Sequence, residues 1–199
     1  MIMTIKSLKT PLRYPGGKSR AVSKLFQYFP NLYSVNQFRE PFLGGGSVAL
    51  EITKRYPHIK VWVNDLYEPL YNFWCELQHN GLELQDLIWS LKNKHPDRVT
   101  ARELFNKSKE DINDEEKSNL ARASSFYIVN KCSFSGLTES SSFSPQASES
   151  NFSFRGIERL TEYSNLIENW TITNLSYERM LCDEKNIFTY LDPPYDIKD

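Results

Sequence analysis

Apolar positions along the chain set out an alternation of helices and short strands. Val22, Leu25, Phe26 and Phe29, within residues 19–29, recur at i, i+3, i+4 and i+7, which predicts one apolar helix face. Residues 35–42, VNQFREPF, read as a short strand entering a turn. Gly44-Gly45-Gly46 is that turn, and SVALEITKRY continues as a helix. A second strand follows at 59–65, IKVWVND. Leu66, Leu70, Phe73, Trp74 and Leu77 then return to helical spacing. Strand, glycine turn, helix and strand within so short a span form the βαβ unit of a parallel sheet.

Residues 78–130 are charged and helical, and 133–153 are polar, with nine serines in 21 positions, which predicts a loop or weak hairpin outside the core. GIERLTEYSNLI is again helical, and 169–175 and 186–191 are the next strands. The expected fold is therefore an α/β sheet interrupted by a polar insertion at 76–156, with no internal repeat.

Composition narrows the class. The 199 residues are 40% apolar and 25% charged with net charge −1, an ordinary soluble composition. No run approaches the roughly 20 apolar residues of a membrane span. The total charge does not announce a nucleic-acid partner, so any basic footprint is local. Three cysteines (Cys75, Cys132, Cys182) and three histidines form no ligand spacing, so no metal and a reducing, cytoplasmic setting are expected.

The candidate chemistry lies in the turns. GGGSVA fits G-x-G-x-x-A through Gly44, Gly46 and Ala49, and Asp65 stands 19 residues beyond Gly46, after the second strand. Glycines admit close approach of a ligand, and an acid there can accept from ribose hydroxyls. That pattern alone fits an NAD enzyme as well as any adenosyl-cofactor enzyme. PGGKS is not a phosphate loop, because Leu12 stands where its first glycine belongs. It keeps Arg13, Lys18 and Arg20 beside a glycine pair. Asp192-Pro193-Pro194-Tyr195 is a stiff turn offering a carboxylate, free carbonyls and a flat ring. Such a set suits a planar group bearing an NH2.

Taken in order, RYPGGK (13–18), EPFLGGGS (40–47), VND (63–65) and DPPY (192–195) resemble the Dam-type, or D12-class, DNA adenine-N6 methyltransferases. RELFNKS (102–108) and YIVNKCSFSGL (127–137) look like that family's recognition stretches. The resemblance implies a Rossmann-like S-adenosylmethionine-dependent methyltransferase sheet with an inserted, mainly helical target-recognition domain. Residues 1–75 and 157–199 would be catalytic and 76–156 would recognise the target.

It further implies S-adenosyl-L-methionine as cofactor, held by Tyr14, Lys18, Phe42, Gly44, Gly45, Gly46, Asp65 and Asp192. Asp192, Pro193, Pro194 and Tyr195 would act on a flipped adenine in double-stranded DNA. Arg13, Lys18, Asn130, Lys131, Phe134, Ser135 and Glu139 would meet the DNA. A bacterial or phage-encoded protein with no membrane partner is expected; the sequence does not give the oligomeric state, for which a monomer is the expectation.

Two departures carry expectations. Glu139 stands where GATC-methylating relatives carry arginine, and a glutamate accepts from cytosine rather than donating to guanine. The recognition sequence is therefore expected not to be simply GATC; Ser135 likewise replaces an asparagine. The sheet also stops at DPPY, which predicts an exposed apolar edge and face and a chain truncated by roughly 60–80 residues on domain-size grounds. A catalytically inactive fragment that retains cofactor or DNA binding is the alternative in function, and an NAD-dependent oxidoreductase is a more distant one.

Overall fold

The computed structural model describes residues 9–14, 18, 21–134 and 140–194. Its strands are β1 (Gln37–Glu40), β2 (Lys60–Asn64), β3 (Thr171–Thr173) and β4 (Ile187–Thr189). The helices are α1 (Val22–Leu25), α2 (Ser47–Arg55), α3 (Glu68–His79), α4 (Gly81–Lys94), α5 (Arg98–Asp111), α6 (Asn119–Cys132), α7 (Pro145–Ser150), α8 (Phe154–Glu158) and α9 (Leu160–Leu166).

All pairings among the four strands are parallel, in the order β3-β2-β1-β4. The four segments expected to be strands are these four. β1 ends at Pro41, which cannot donate to a ladder. β1 also stands where the connections reverse direction, β2 on one side and β4 on the other. In an open α/β sheet the carboxyl ends of such strands diverge their connections and leave a crevice.

One face of the sheet is apolar. Phe38 sits beside Val61 and Phe188, and Val63 beside Ile172. Phe29 closes over Phe188 at 4.9 Å between ring centroids. The expected helix over 19–29 is only partly regular: α1 gives way to a 3-10 turn at Phe26–Tyr28. Phe29 precedes Pro30 and takes the extended conformation that proline imposes on its predecessor (ψ 155).

The other face is not the apolar surface expected of it. It carries Gln37, Arg39, Trp62, Thr171, Thr173 and Thr189. Arg39 stacks 4.8 Å over Trp62, donates to the Met180 carbonyl at 2.8 Å and to Gln37 Oε1 at 2.7 Å. Trp62 Nε1 donates to Thr173 Oγ1 at 3.0 Å. Hydrogen bonds along the face and to the 3-10 turn Tyr177–Met180 thus engage Gln37, Arg39, Trp62 and Thr173.

The polar insertion shares the core. α3 spans the expected boundary at residue 75 and packs on α6, with Phe73 and Phe126 rings 5.7 Å apart and Trp74 5.7 Å from Trp170. α6 is buried almost all round, from Ala123 through Asn130 and at Cys132, despite its serines and asparagine. The serine-rich stretch is also more ordered than expected. Ser133 pairs with Phe143, and Ser144 and Ser153 cap α7 and α8 by accepting from Ala147 N–H and Gly156 N–H. A serine hydroxyl satisfies an orphan amide at a helix start, so this composition favours caps.

Candidate active site

The carboxyl ends of β1, β2 and β4 open into one cleft of about 760 Å³. Asn64, 1% exposed, laces the strand exits together. Its Nδ2 donates to the Pro41 and Leu175 carbonyls at 3.1 and 2.9 Å, and its Oδ1 accepts from Leu175 N–H at 2.8 Å.

The glycine turn is forced by space as well as by backbone. Gly44 and Gly46 have φ of 50° and 68°, in the left-handed region. A Cβ on Gly44 would lie 2.9 Å from the Tyr14 ring, and one on Gly46 2.9 Å from the Trp74 ring. Trp74 Nε1 donates to the Gly44 carbonyl at 3.2 Å, and Thr10 Oγ1 bonds the Gly45 carbonyl. The turn therefore presents bare backbone to the cleft, with the Tyr14 ring on the cleft side and the buried Trp74 ring beneath it.

Asp65 reaches this turn from the end of β2. Oδ2 accepts from Gly44 N–H at 2.9 Å and Oδ1 from Tyr67 N–H at 3.1 Å. Burial pushes its carboxyl above the usual range, against the pull of those two amides. Each oxygen keeps accepting capacity toward the cleft. Tyr14 faces it; burial, then the Asp65 charge, pushes the phenol up to about 12, so it stays neutral.

Asp192 enters from β4, and the Lys18 ammonium lies 2.6 Å from its carboxylate. Pro193 and Pro194 line the same cleft beside Phe42, whose ring is 5.3 Å from Tyr177. Of the residues predicted for catalysis and cofactor, Tyr14, Lys18, Phe42, Gly44, Gly45, Gly46, Asp65, Asp192, Pro193 and Pro194 all line it. Tyr195 lies outside the described residues, as do Ser135 and Glu139.

Glu40 is a cleft residue that the sequence reading did not single out. It is 4% exposed on the apolar face of β1, and Oε2 accepts from Ala49 N–H at 3.0 Å. Burial holds its carboxyl well above the usual range; the Ala49 amide and Lys18 oppose this, while Asp192 and Asp65 add to it. The alternation in β1 that puts Phe38 inward puts Glu40 inward too, and that was the available signal.

The residues expected at the DNA differ among themselves. Phe134 is 80% exposed at the end of α6. Asn130 is fully buried: its Oδ1 accepts from Arg13 N–H at 2.9 Å and its Nδ2 donates to the Arg13 carbonyl at 2.6 Å. It is an interior residue rather than a surface one because α6 is enclosed. Lys131 lies largely inside, with Nζ 5.2 Å from the Tyr127 ring centroid; burial, then Arg13, lowers its ammonium to about 8.

A parallel sheet with a glycine turn at its switch point, an acid after the second strand and a D-P-P turn beside them is the Rossmann-like architecture of S-adenosylmethionine-dependent methyltransferases. The particular family follows from comparison with known proteins. The model of the D12 class N6 adenine-specific DNA methyltransferases matches residues 14–199, and the chain belongs to that family.

It is 25% identical to the type II methyltransferase M.MjaIII of Methanocaldococcus jannaschii, over 94% of this chain and 69% of that protein. It is 24% identical to the type II methyltransferase M1.LlaDCHI of Lactococcus lactis subsp. cremoris, over 95% of this chain and 66% of that protein. A DNA N-6-adenine-methyltransferase of Escherichia phage P1 is 29% identical over 63% of this chain and 15% of its own length. The chain thus spans about two thirds of the first two relatives. Among the described residues no helix is long and apolar enough to cross a membrane.

Proposed function

We propose that this chain transfers a methyl group from S-adenosyl-L-methionine to N6 of an adenine flipped out of double-stranded DNA, at a defined sequence. The observation that carries the reading is the convergence, on one cleft, of Tyr14, Lys18, the glycine turn, Asp65 and Asp192-Pro193-Pro194 from distant parts of the chain. The cofactor fits the residues present. The cleft volume lies within the several hundred Å³ typical of cofactor sites, and the glycine turn lines it with backbone that carries no side chains. Asp65 offers acceptors for ribose hydroxyls, and Phe42 an apolar surface.

Adenine N6 is a weak nucleophile because its lone pair is delocalised into the ring. The Asp192 carboxylate and the Pro193 carbonyl would accept its two N–H bonds. That arrangement turns the lone pair out of the ring plane and stabilises the positive charge that develops on nitrogen. When bound, the cofactor supplies an electrophilic methyl group. Tyr195 would stack on the flipped base. Residues 1–75 and 157–199 would form the catalytic part and 76–156 the recognition part, with the exposed Phe134 toward the DNA.

Incubating the purified chain with methyl-labelled cofactor and unmethylated duplex DNA tests this. Label recovered as N6-methyladenine is the expected result, and Asp192→Ala should abolish it. Cofactor binding without transfer would overturn the enzymatic reading in favour of a binding-only fragment. Mapping the modified bases then tests the Glu139 inference, which GATC as sole site would overturn.

A further inference from the structure

Arg13 was expected to touch DNA, yet its half-buried guanidinium is engaged by carbonyls of the protein's own main chain. Nη1 donates to the Ser133 carbonyl at 2.7 Å and Nη2 to the Phe134 carbonyl at 3.1 Å. Its main chain is clamped in both directions by the buried Asn130 amide. The fork of one arginine thus grips two successive carbonyls at the end of α6, across 120 and 121 positions of sequence.

Those carbonyls belong to the base of the loop that carries Phe134. Phe134 N–H donates to the Ser142 carbonyl at 3.1 Å, and Ser144 N–H to the Cys132 carbonyl at 2.8 Å. A lone exposed aromatic residue is ordinary. Here the ring is 80% exposed while its own N–H and C=O are both fixed by distant partners. An anchored main chain fixes the point from which the ring projects, which narrows the space it samples and reduces the ordering cost of contact.

We propose that Arg13 is a positioning residue for DNA, acting through the Ser133 and Phe134 carbonyls to fix the Phe134 ring, and not by contacting DNA itself. The inference rests on the DNA-methyltransferase reading. Asn130 aligns Arg13, and the next residue, Tyr14, forms a wall of the cofactor cleft, so one short segment registers the Phe134 ring against the site.

Lysine keeps the charge but cannot hold two carbonyls in a planar fork. Binding of unmethylated duplex DNA that the chain methylates should be measured against salt for wild type, Arg13→Lys, Phe134→Ala and the double variant, with thermal midpoints as a check on folding. Arg13→Lys is expected to bind about tenfold more weakly, equivalent to about 1.4 kcal/mol. Its log–log salt slope should stay that of the wild type. In the Phe134→Ala background the same substitution should have little further effect.

Wild-type affinity in Arg13→Lys, or additive losses in the double variant, would overturn the proposal. So would a salt slope reduced by about 0.9 in Arg13→Gln, which removes the charge, because that is the signature of one lost phosphate contact. If Arg13→Lys does not fold, Arg13→Gln in the same cycle serves: a loss that persists undiminished without the Phe134 ring overturns it. Failure of the wild-type chain to methylate or bind any duplex would overturn the functional reading first, and this inference with it.

Discussion

The Lys18 ammonium stands 2.6 Å from the Asp192 carboxylate, joining the first motif of the chain to the last across the cleft. Each side chain is under a quarter exposed, so the pair is neither a solvated surface contact nor a sealed one. On the proposed mechanism, Asp192→Asn would remove the charge that stabilises nitrogen as it becomes cationic but keep the shape. The methyl-transfer rate in a single turnover should fall by about 10²–10³. Cofactor affinity, read by calorimetry, should change far less.

Gly46→Ala places a side chain at φ 68° and 2.9 Å from the Trp74 ring. The backbone strain alone is about 1–2 kcal/mol. Thermal unfolding should drop by several degrees, given about 2–4 °C per kcal/mol in a chain of this size. Cofactor binding should weaken with it.

Glu40 gives a pH signature of unusual sign. Its carboxyl is held above its ordinary value of 4.5, so the folded state keeps a proton the unfolded state releases. Stability from this group is complete below pH 4.5 and is lost as pH rises through the folded value. Denaturant unfolding of the wild type at increasing pH should show this decline. Glu40→Gln, isosteric and uncharged, should lessen it; an unchanged slope would count against a buried, protonated Glu40.

The cysteines should separate by exposure. Cys182 is exposed, whereas Cys132 is fully buried and burial pushes its thiol up to about 12. A thiol reagent at pH 8 should modify Cys182 quickly and reach Cys132 only on unfolding. Cys182→Ser should remove the fast phase.

Much of the site is legible in the sequence because glycine and proline dictate backbone. Gly44, Gly46 and Asp192-Pro193-Pro194 declare their turns, and Asp65 falls after a strand that alternation reveals. What escapes is anything set by packing. Glu40 looks like a surface charge until β1 turns its side chain inward. Asn130 and the serines of α6 look solvent-facing, yet α3 and α5 enclose that helix. The Arg13 fork needs two carbonyls 120 and 121 positions away, which no local pattern records.

The β1–β4 pairing joins Gln37 to Ile187, positions 187 − 37 = 150 apart, with the helical insertion between them. Closing so long a loop comes late in folding, since its entropy is repaid only once intervening contacts exist. The two halves of the cleft lie on those two strands. A chain in which they have not met would lack the proposed methyl-donor site, so a donor bound there would bind only assembled molecules and stabilise them by mass action. Ligand-induced protection from proteolysis would therefore report completed folding, and cellular cofactor supply would influence how much of this protein persists.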